Sequence, residues 1–206
     1  MNLKKSVFLI LGVLFFDQFV KILVKTHMML GEQINVLGNW FIIHFTENNG
    51  MAFGMELGGN YGKISLSLFR IVALCGIGWY LNRLHKEKAN WKMTVPIALI
   101  FAGAFGNIID SMFYGLIFDN SFCQIATLFP DGGGYGTFLH GRVVDMLYFP
   151  LIEGHFPTWF PFWGGEEFIF FRPVFNISDS SITVGIVLLL LFQSKFFNKK
   201  QEEIIG

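Results

Sequence analysis

Four long stretches of the chain are almost continuously apolar, and polar residues gather between them. The stretches cover about residues 6–24, 63–81, 95–113 and 181–197. Each is long enough for a helix to cross a hydrocarbon layer of about 30 Å. We therefore predict a membrane α-helical protein, a bundle of four transmembrane helices with longer outer segments at 25–62 and 114–180. No internal repeat or separable unit is visible, so we expect a single domain over residues 1–206.

The composition agrees with a multi-span membrane protein. Hydrophobic residues make up 53% of the 206 positions and charged residues only 15%, and the mean hydropathy is +0.52. Soluble domains carry about 25% charged residues. The formal net charge of zero argues against a nucleic-acid partner. The two cysteines, Cys75 and Cys123, form neither a metal-binding spacing nor a disulfide framework.

Basic residues predict the orientation of the bundle, because Lys and Arg concentrate in cytoplasmic segments. They cluster before the first stretch, between the second and third, and after the fourth: Lys4, Lys5, Arg83, Lys86, Lys88, Lys92, Lys195, Lys199 and Lys200. Both termini are therefore expected in the cytoplasm. The first stretch resembles a secretory signal peptide but lacks a small-x-small cleavage site, so we interpret it as an uncleaved span.

The first outer segment has the pattern of strands rather than of a helix. Residues 34–37 and 40–45 are rich in β-branched and aromatic side chains, and Gly38 and Asn39 between them favour a hairpin turn, which predicts a small outer β-sheet. The hairpin leads into residues 46–54, which include Asn48 and Gly50. Asn and Gly in such a cluster favour a turn, and an Asn amide can also bind a peptide backbone; both interpretations remain open.

The second outer segment divides into two parts. Residues 131–136 are mostly glycine and predict a flexible loop. Residues 146–175 are rich in aromatic side chains and contain four prolines, Pro150, Pro157, Pro161 and Pro173, without a sharp helical stripe. Aromatic residues of membrane proteins concentrate at headgroup level. We expect an outer amphipathic, aromatic segment that rests on the outer leaflet.

Two carboxylates, Asp145 and Asp179, lie at the edges of apolar stretches. Charged groups at membrane depth usually line a cavity or pair with another group. Two carboxyls that meet share a proton, which suits the activation of water against an amide. The alternative interpretations are a helix N-cap for Asp179 and a turn residue for Asp145.

Two further polar pairs fall within the apolar stretches. Asp17 and Lys21 are four residues apart, the spacing of a helical ion pair, and favour a structural clamp over a substrate contact. Asn107 and Asp110 share one helix face near the outer boundary, where a structural hydrogen-bonded pair and a substrate role are both open. Nearby Gly103 permits close helix approach.

Taken together, five blocks of this chain resemble the bacterial lipoprotein signal peptidases, also called signal peptidase II. They occur in the family's order and cover most of the chain: residues 17–21, 46–54, 103–110, 141–145 and 175–179. The resemblance implies an aspartic endopeptidase of the bacterial inner membrane, which cleaves a prolipoprotein just before its diacylglyceryl-modified cysteine. It implies Asp145 and Asp179 as the catalytic pair near the outer face.

The resemblance also implies which residues shape the pocket or hold the substrate: Asp17, Lys21, Asn48, Gly50, Asn107, Asp110, Arg142 and Asn176. It implies no metal and no organic cofactor, and the expected partners are diacylglyceryl-modified prolipoproteins and membrane lipid. We expect a monomer.

Three departures from the family pattern are visible. Ser111 follows Asp110 where the family usually has Arg, so the basic contact is missing or comes from elsewhere, with Arg142 as the candidate. Ser178 stands where Ala is common, and segments 116–140 and 146–172 are longer than in compact members. The competing functional classes are a small transporter subunit, a membrane scaffold and a serine intramembrane protease.

Overall fold

The computed structural model describes residues 2–49, 59–170 and 173–205, with side chains for all of these except 59–61, 152–153, 168–170 and 193–205. The elements, in chain order, are α1 (Leu3–His27), β1 (Gln33–Leu37), β2 (Phe41–Asn48), α2 (Gly59–Lys86), α3 (Trp91–Ile109), a π-helical turn (Asp110–Tyr114), α4 (Gly115–Ile117), β3 (Val143–Tyr148), β4 (Ile152–His155), β5 (Glu167–Phe170) and α5 (Ile177–Ile205).

Three helical stretches are long and apolar enough to cross a membrane, and they coincide with the first three predicted spans: Leu3–His27, Gly62–Lys86 and Trp91–Ile117. They extend beyond the predicted limits because their polar end residues continue the helix past the apolar part. Helix α5 coincides with the fourth predicted span, and its described apolar part, Ile177–Phe192, is shorter than the other three. The four-helix count therefore stays a prediction.

Helix α1 turns the charged residues of its second half inward and large apolar residues outward. Asp17, Lys21 and Lys25 are fully buried and follow one another at intervals of four residues, so they share one face. Large apolar side chains are exposed elsewhere on α1: Phe8, Leu11, Phe15, Phe16 and Phe19. This reversed pattern fits a helix whose outer surface meets lipid and whose polar groups face the bundle interior.

Helix α3 lies at the centre and packs against α1, α2 and α5. A Cβ atom added at Gly103 would clash with the backbone carbonyl of Ser178, and one at Gly106 would clash with the Ser178 hydroxyl and approach the Asp17 carboxylate. These glycines permit the close approach that small residues provide between membrane helices. The beginning of α5 is thereby brought against the polar face of α1.

The three-stranded β-sheet has the antiparallel order β1–β2–β3. The predicted hairpin of β1 and β2 is confirmed, whereas β3 is a strand that the sequence did not reveal. In the β2–β3 register, Thr46 lies opposite Asp145 and Asn48 opposite Val143. Phe175 continues the pairing, because its carbonyl accepts a 2.7 Å hydrogen bond from the Leu147 N–H. The start of α5 therefore lies beside β3.

The two parts of the long segment between α4 and α5 are more ordered than their sequences suggest. Around the glycine run, Gly134 packs so tightly on the backbone of Gly115 and Leu116 that a Cβ atom would clash there, so the expected flexible loop is a packed one. The aromatic segment forms a separate antiparallel hairpin of β4 and β5. Trp159 and Phe162 are exposed near its turn. Its contact with a membrane surface stays a prediction.

Candidate active site

Asp145 occupies the middle of β3 and is almost completely buried, with 4% of its surface exposed. It is a strand residue, so the turn interpretation of Asp145 is wrong. Its Oδ1 accepts a 2.7 Å hydrogen bond from the Asn176 side-chain amide. Its Oδ2 accepts a hydrogen bond from the Asn48 side-chain amide. Both carboxylate oxygens of Asp145 are thus engaged by amide donors from other elements.

Asp179 lies in the first turn of α5, where it forms a reciprocal cap with Asn176. The Asp179 N–H donates to Asn176 Oδ1 at 2.9 Å, and the Asn176 N–H donates to Asp179 Oδ2 at 3.3 Å. This is the geometry of a capping box. The N-cap is therefore Asn176 and not Asp179. A carboxylate in a first helical turn is stabilised by the helix dipole.

Asn176 connects the two aspartates because its side chain reaches Asp145 while its backbone reaches Asp179. The pairing of Phe175 with β3 explains this geometry, since it places the following residue beside Asp145. The two aspartates, which are 34 positions apart in the chain, therefore belong to one hydrogen-bonded group. The structure brings together the pair that the sequence singled out.

Asn107 joins this group from α3. Its Nδ2 donates to Asp179 Oδ1 at 2.8 Å, and its Oδ1 accepts from Lys21 Nζ at 2.9 Å and from Asn176 Nδ2 at 3.1 Å. A lysine ammonium can only donate hydrogen bonds. Lys21 therefore fixes the orientation of the Asn107 amide, with its NH₂ group toward Asp179.

Lys21 also forms the centre of a buried ion cluster. Its Nζ lies 2.9 Å from an oxygen of Asp17 and 2.7 Å from an oxygen of Asp110, and all three side chains are fully buried. The predicted Asp17–Lys21 ion pair is confirmed. Asp110 additionally accepts a 2.8 Å hydrogen bond from Gln18, and Asp17 accepts one of the same length from the Ser178 N–H. The cluster links α1, α3 and α5 behind the aspartate pair.

Asn107 and Asp110 therefore have different surroundings, although the sequence places them on one helix face. Asn107 contacts Asp179, whereas Asp110 contacts Lys21 and Gln18 in the interior. A buried charge is tolerated only when partners and hydrogen bonds compensate its lost hydration. Asp110 has such partners, and its contacts are those of a residue that holds the bundle together.

Burial and charge act together on Asp145. The pKa of Asp145 is raised to about 7, an increase caused first by removal from water and second by the negative charge of Asp179. The hydrogen bonds from Asn176 and Asn48, together with the charge of Lys21, oppose it. A carboxyl with this pKa exchanges a proton readily at neutral pH, as a general acid or base requires.

Two of the predicted pocket residues need separate comment. Gly50 lies outside the described residues. Arg142 binds Glu47, with Nη1 to Oε2 at 3.1 Å, and its guanidinium lies 5.0 Å from the centre of the Tyr135 ring. The described contacts of Arg142 include neither catalytic candidate.

Several residues near the site were missed by the sequence reasoning. Arg70 of α2 is half-buried and interacts electrostatically with both Asp179 and Asp145. Gln18 contacts Asp110, and Lys25 and Glu47 form a buried ion pair. One signal could have revealed Lys25, because it follows Lys21 by four residues on the face already marked as polar. No such signal marks Arg70.

Within residues 2–49, 59–170 and 173–205, no group of three or more His, Cys, Asp or Glu side chains is arranged to hold a metal ion. The carboxylates of Asp17 and Asp110 are bridged by Lys21. The side chains of Asn48, Asn107 and Asn176, which donate hydrogen bonds to Asp145 and Asp179, are amides, which hold carboxyls in place without supplying a proton. The arrangement is suited to acid–base chemistry by the two carboxyls.

Comparison with known proteins gives a consistent result. The family model described as signal peptidase (SPase) II matches residues 9–195. A lipoprotein signal peptidase of Porphyromonas gingivalis is 58% identical over 184 residues, which cover 89% of this chain and 80% of the relative. One of Amoebophilus asiaticus is 40% identical over 178 residues, 85% of this chain and 71% of the relative. A bacterial membrane enzyme solved by the in meso method at 2.3 Å is 26% identical, with a TM-score of 0.64 over 96% of this chain and 92% of that one.

Proposed function

Because the chain belongs to the signal peptidase II family, we propose that it is an intramembrane aspartic endopeptidase that removes signal peptides from prolipoproteins. Cleavage occurs just before the diacylglyceryl-modified cysteine. The observation that carries this proposal is the hydrogen-bonded group in which Asn176 and Asn107 join Asp145 to Asp179. Two carboxyls held together in this way share a proton, as the hydrolysis of an amide by a carboxyl pair requires.

The surroundings of the two carboxyls suggest a division of roles. Asp179 lies in the first turn of α5, is only partly buried, and receives hydrogen bonds from Asn107 and from the Asn176 N–H. Asp145 is more deeply buried, and burial raises its pKa to about 7. We assign Asp179 as the base and Asp145 as the protonated partner.

In this assignment, Asp179 accepts a proton from water as the water oxygen bonds to the scissile carbonyl carbon. Asp145 donates a hydrogen bond to the carbonyl oxygen, where negative charge develops. The carbon–nitrogen bond then breaks, and Asp145 gives its proton to the leaving amine. The pair is left with one proton, now on Asp179, and returns to its starting state when that proton moves back to Asp145.

The other predicted site residues divide into two groups. Asn48, Asn107 and Asn176 orient the carboxyls directly. Asp17, Lys21 and Asp110 support the Asn107 amide from behind. Gly50 and Arg142 remain candidates for substrate contact.

We further propose that α5 crosses the bilayer as a fourth span and that both termini are cytoplasmic. Its apolar part and the clusters of basic residues at the cytoplasmic ends support this topology. The aspartate pair then faces the outer side of the bacterial inner membrane, and a monomer suffices for activity.

The test is cleavage of a diacylglyceryl-modified prolipoprotein by purified protein in detergent. We expect Asp145→Asn and Asp179→Asn each to abolish cleavage while the protein remains folded by thermal unfolding. Asp131→Asn, an exposed aspartate of the outer segment, is the matched control and should cleave normally. Near-normal turnover by either catalytic variant would exclude the shared-proton mechanism. Absence of cleavage by folded wild-type protein on a validated substrate would favour a transporter or scaffold.

A further inference from the structure

A second buried charge lies one helical turn beyond the Lys21 cluster. The Lys25 side chain is fully buried, and its ammonium pairs with the Glu47 carboxylate and donates a 2.7 Å hydrogen bond to Ser121 Oγ. Three aromatic rings surround the same ammonium, with centres 5.8, 5.3 and 5.2 Å away: Phe45, Phe118 and Tyr135. Rings at these distances attract a cation through their faces. The Lys25 ammonium is therefore held from several sides.

Both oxygens of the Glu47 carboxylate are used in this cluster. Oε1 pairs with Lys25 and accepts a 3.0 Å hydrogen bond from Ser121, and Oε2 lies 3.1 Å from Arg142 Nη1. Burial raises the pKa of Glu47, but the charge of Lys25 and the hydrogen bonds from Lys25, Arg142 and Ser121 together outweigh burial, so the pKa is lowered. Glu47 is thus an ionised, nearly inaccessible bridge between two cations.

The cluster joins α1, β2 and Arg142, which directly precedes β3, to the outer loop 118–141, which follows α4. Tyr135 of this loop accepts a 2.6 Å hydrogen bond from the Arg142 N–H through its hydroxyl oxygen, and Ser121 supplies the contact to Lys25 and Glu47. Where the loop returns to β3, Gly141 packs on the backbone carbonyl of Asp110 so closely that a side chain would clash. The loop is therefore fixed at several points along its length.

The cluster adjoins the residues that contact Asp145. Glu47 is followed directly by Asn48, which donates to Asp145, and Arg142 directly precedes strand β3. Successive side chains of a strand point to opposite faces. Anchoring Glu47 on one face of β2 thus fixes how far the Asn48 amide reaches on the other.

We propose that Lys25, Glu47 and Arg142, braced by the outer loop 118–141, are positioning residues that hold the Asn48 amide against Asp145. The inference rests on the proposed peptidase function. A buried ion pair contributes little net stability compared with apolar packing, so the cluster's main effect is expected in the geometry of the site. A displacement of 1 Å at a catalytic group can cost about a hundredfold in rate.

The experiment compares kcat, KM and the pH profile of cleavage for Lys25→Met, Glu47→Gln and the milder Ser121→Ala. Glu87→Gln is the matched control, because Glu87 forms an exposed ion pair with Arg83 remote from the site. We expect kcat to fall about tenfold or more in Lys25→Met and Glu47→Gln and less in Ser121→Ala, with KM little changed. Glu87→Gln should behave as wild type.

The pH profile separates positioning from a merely structural role. The hydrogen bond from Asn48 lowers the pKa of Asp145, so loosening it should move the alkaline limb of kcat/KM to higher pH, as in Asn48→Ala. Among the residues that the structure describes, the charged groups that act on Asp145 are Asp179 of α5, Lys21 of α1 and Arg70 of α2, and none is altered in these variants. The inference would be overturned if kcat fell only in proportion to the loss of folded protein while the alkaline limb of kcat/KM stayed at its wild-type position.

A double variant makes the test specific. If Glu47 acts through Asn48, the double variant Glu47→Gln/Asn48→Ala should shift the alkaline limb of kcat/KM by the same amount as Asn48→Ala alone. Additive shifts would overturn the inference. Should Glu47→Gln fail to fold, Ser121→Ala and Glu47→Asp carry the same comparison. Asp145→Asn is measured in parallel. If this variant still cleaves the substrate, the peptidase mechanism is refuted. If it does not cleave, but the alkaline limb stays unmoved in the Lys25, Glu47 and Ser121 variants, only the positioning role is refuted.

Discussion

The Asp145 carboxyl illustrates how a residue suited to catalysis can oppose folding. Burial and the charge of Asp179 raise its pKa to about 7, so the folded protein binds a proton there more tightly than the unfolded chain, where an Asp has a pKa of about 3.9. Between these two values the folded state holds more protons, so stability falls as the pH rises from about 4 to 7 and does not fall further above that range.

Asp145→Asn removes this ionisation, and we expect the variant to be more stable than wild type at pH 8 but not at pH 4. The difference has an upper bound of about 4 kcal/mol, since each pKa unit corresponds to about 1.4 kcal/mol. It should be smaller, because an Asn side chain has one accepting oxygen for the two amides that contact Asp145. Thermal unfolding in detergent at both pH values measures it. The expectation would be contradicted if Asp145→Asn were no more stable than wild type at pH 8.

Arg70 is the second residue whose surroundings predict a measurable effect. The resemblance to signal peptidase II predicts Arg after Asp110, but Ser111 stands there, and Arg142 is paired with Glu47. Arg70 interacts electrostatically with both catalytic candidates. Because a hydrogen bond or ion pair with a charged group is worth about 1.5–3 kcal/mol, we expect Arg70→Met to lower kcat/KM by ten- to hundredfold.

Arg70→Lys should recover part of this activity, since it retains the charge. Arg83→Met, near the other end of α2 and exposed, is the control for the loss of an arginine from the helix. Steady-state cleavage of the lipidated substrate gives the comparison. Equal activity of Arg70→Met and wild type would mean that the charge of Arg70 is not used in the reaction.

At the level of helices, the contact between α3 and α5 determines where Asp179 lies. A methyl group at Gly106 would meet Ser178 and Asp17, whereas one at Gly76 of α2 meets nothing within 4 Å. We expect Gly106→Ala to destabilise the protein by about 1–3 kcal/mol through overpacking and to reduce cleavage by displacing α5. Gly76→Ala should do neither. Unfolding temperature and cleavage rate are the measurements, and equal behaviour of both variants would refute a tight contact at Gly106.

The elements also show which features a sequence can predict. The first three helices follow from apolar length, and β1 and β2 follow from a hairpin pattern around Gly38 and Asn39. Strand β3 was missed because it is buried on both faces and does not alternate. The ion pair of Asp17 and Lys21 was predictable because its spacing is local, whereas the pair of Lys25 and Glu47 depends on the packing of β2 against α1, which no local pattern reveals.

The whole molecule combines apolar helices with an assembly of sheet, loop and aromatic hairpin, and its topology can be tested with its own cysteines. Cys75 lies in α2, and Cys123 is exposed in the outer loop 118–141. If basic residues mark the cytoplasmic side, Cys123 faces outward. A membrane-impermeant maleimide should therefore label the wild-type protein in intact spheroplasts, and Cys123→Ser should abolish that labelling, because Cys75 lies within the apolar span of α2.

The converse probe lies in the link between α2 and α3. In a Cys123→Ser background, Glu87→Cys introduces a thiol at an exposed position of the predicted cytoplasmic link, so it should react only after the membrane is permeabilised. The opposite result, labelling of Glu87→Cys in intact spheroplasts and of Cys123 only after permeabilisation, would invert the topology. It would place Asp145 and Asp179 on the cytoplasmic side, where a translocated prolipoprotein does not present its cleavage site. Orientation is therefore a requirement of the proposed function, and these two thiols test it independently of catalysis.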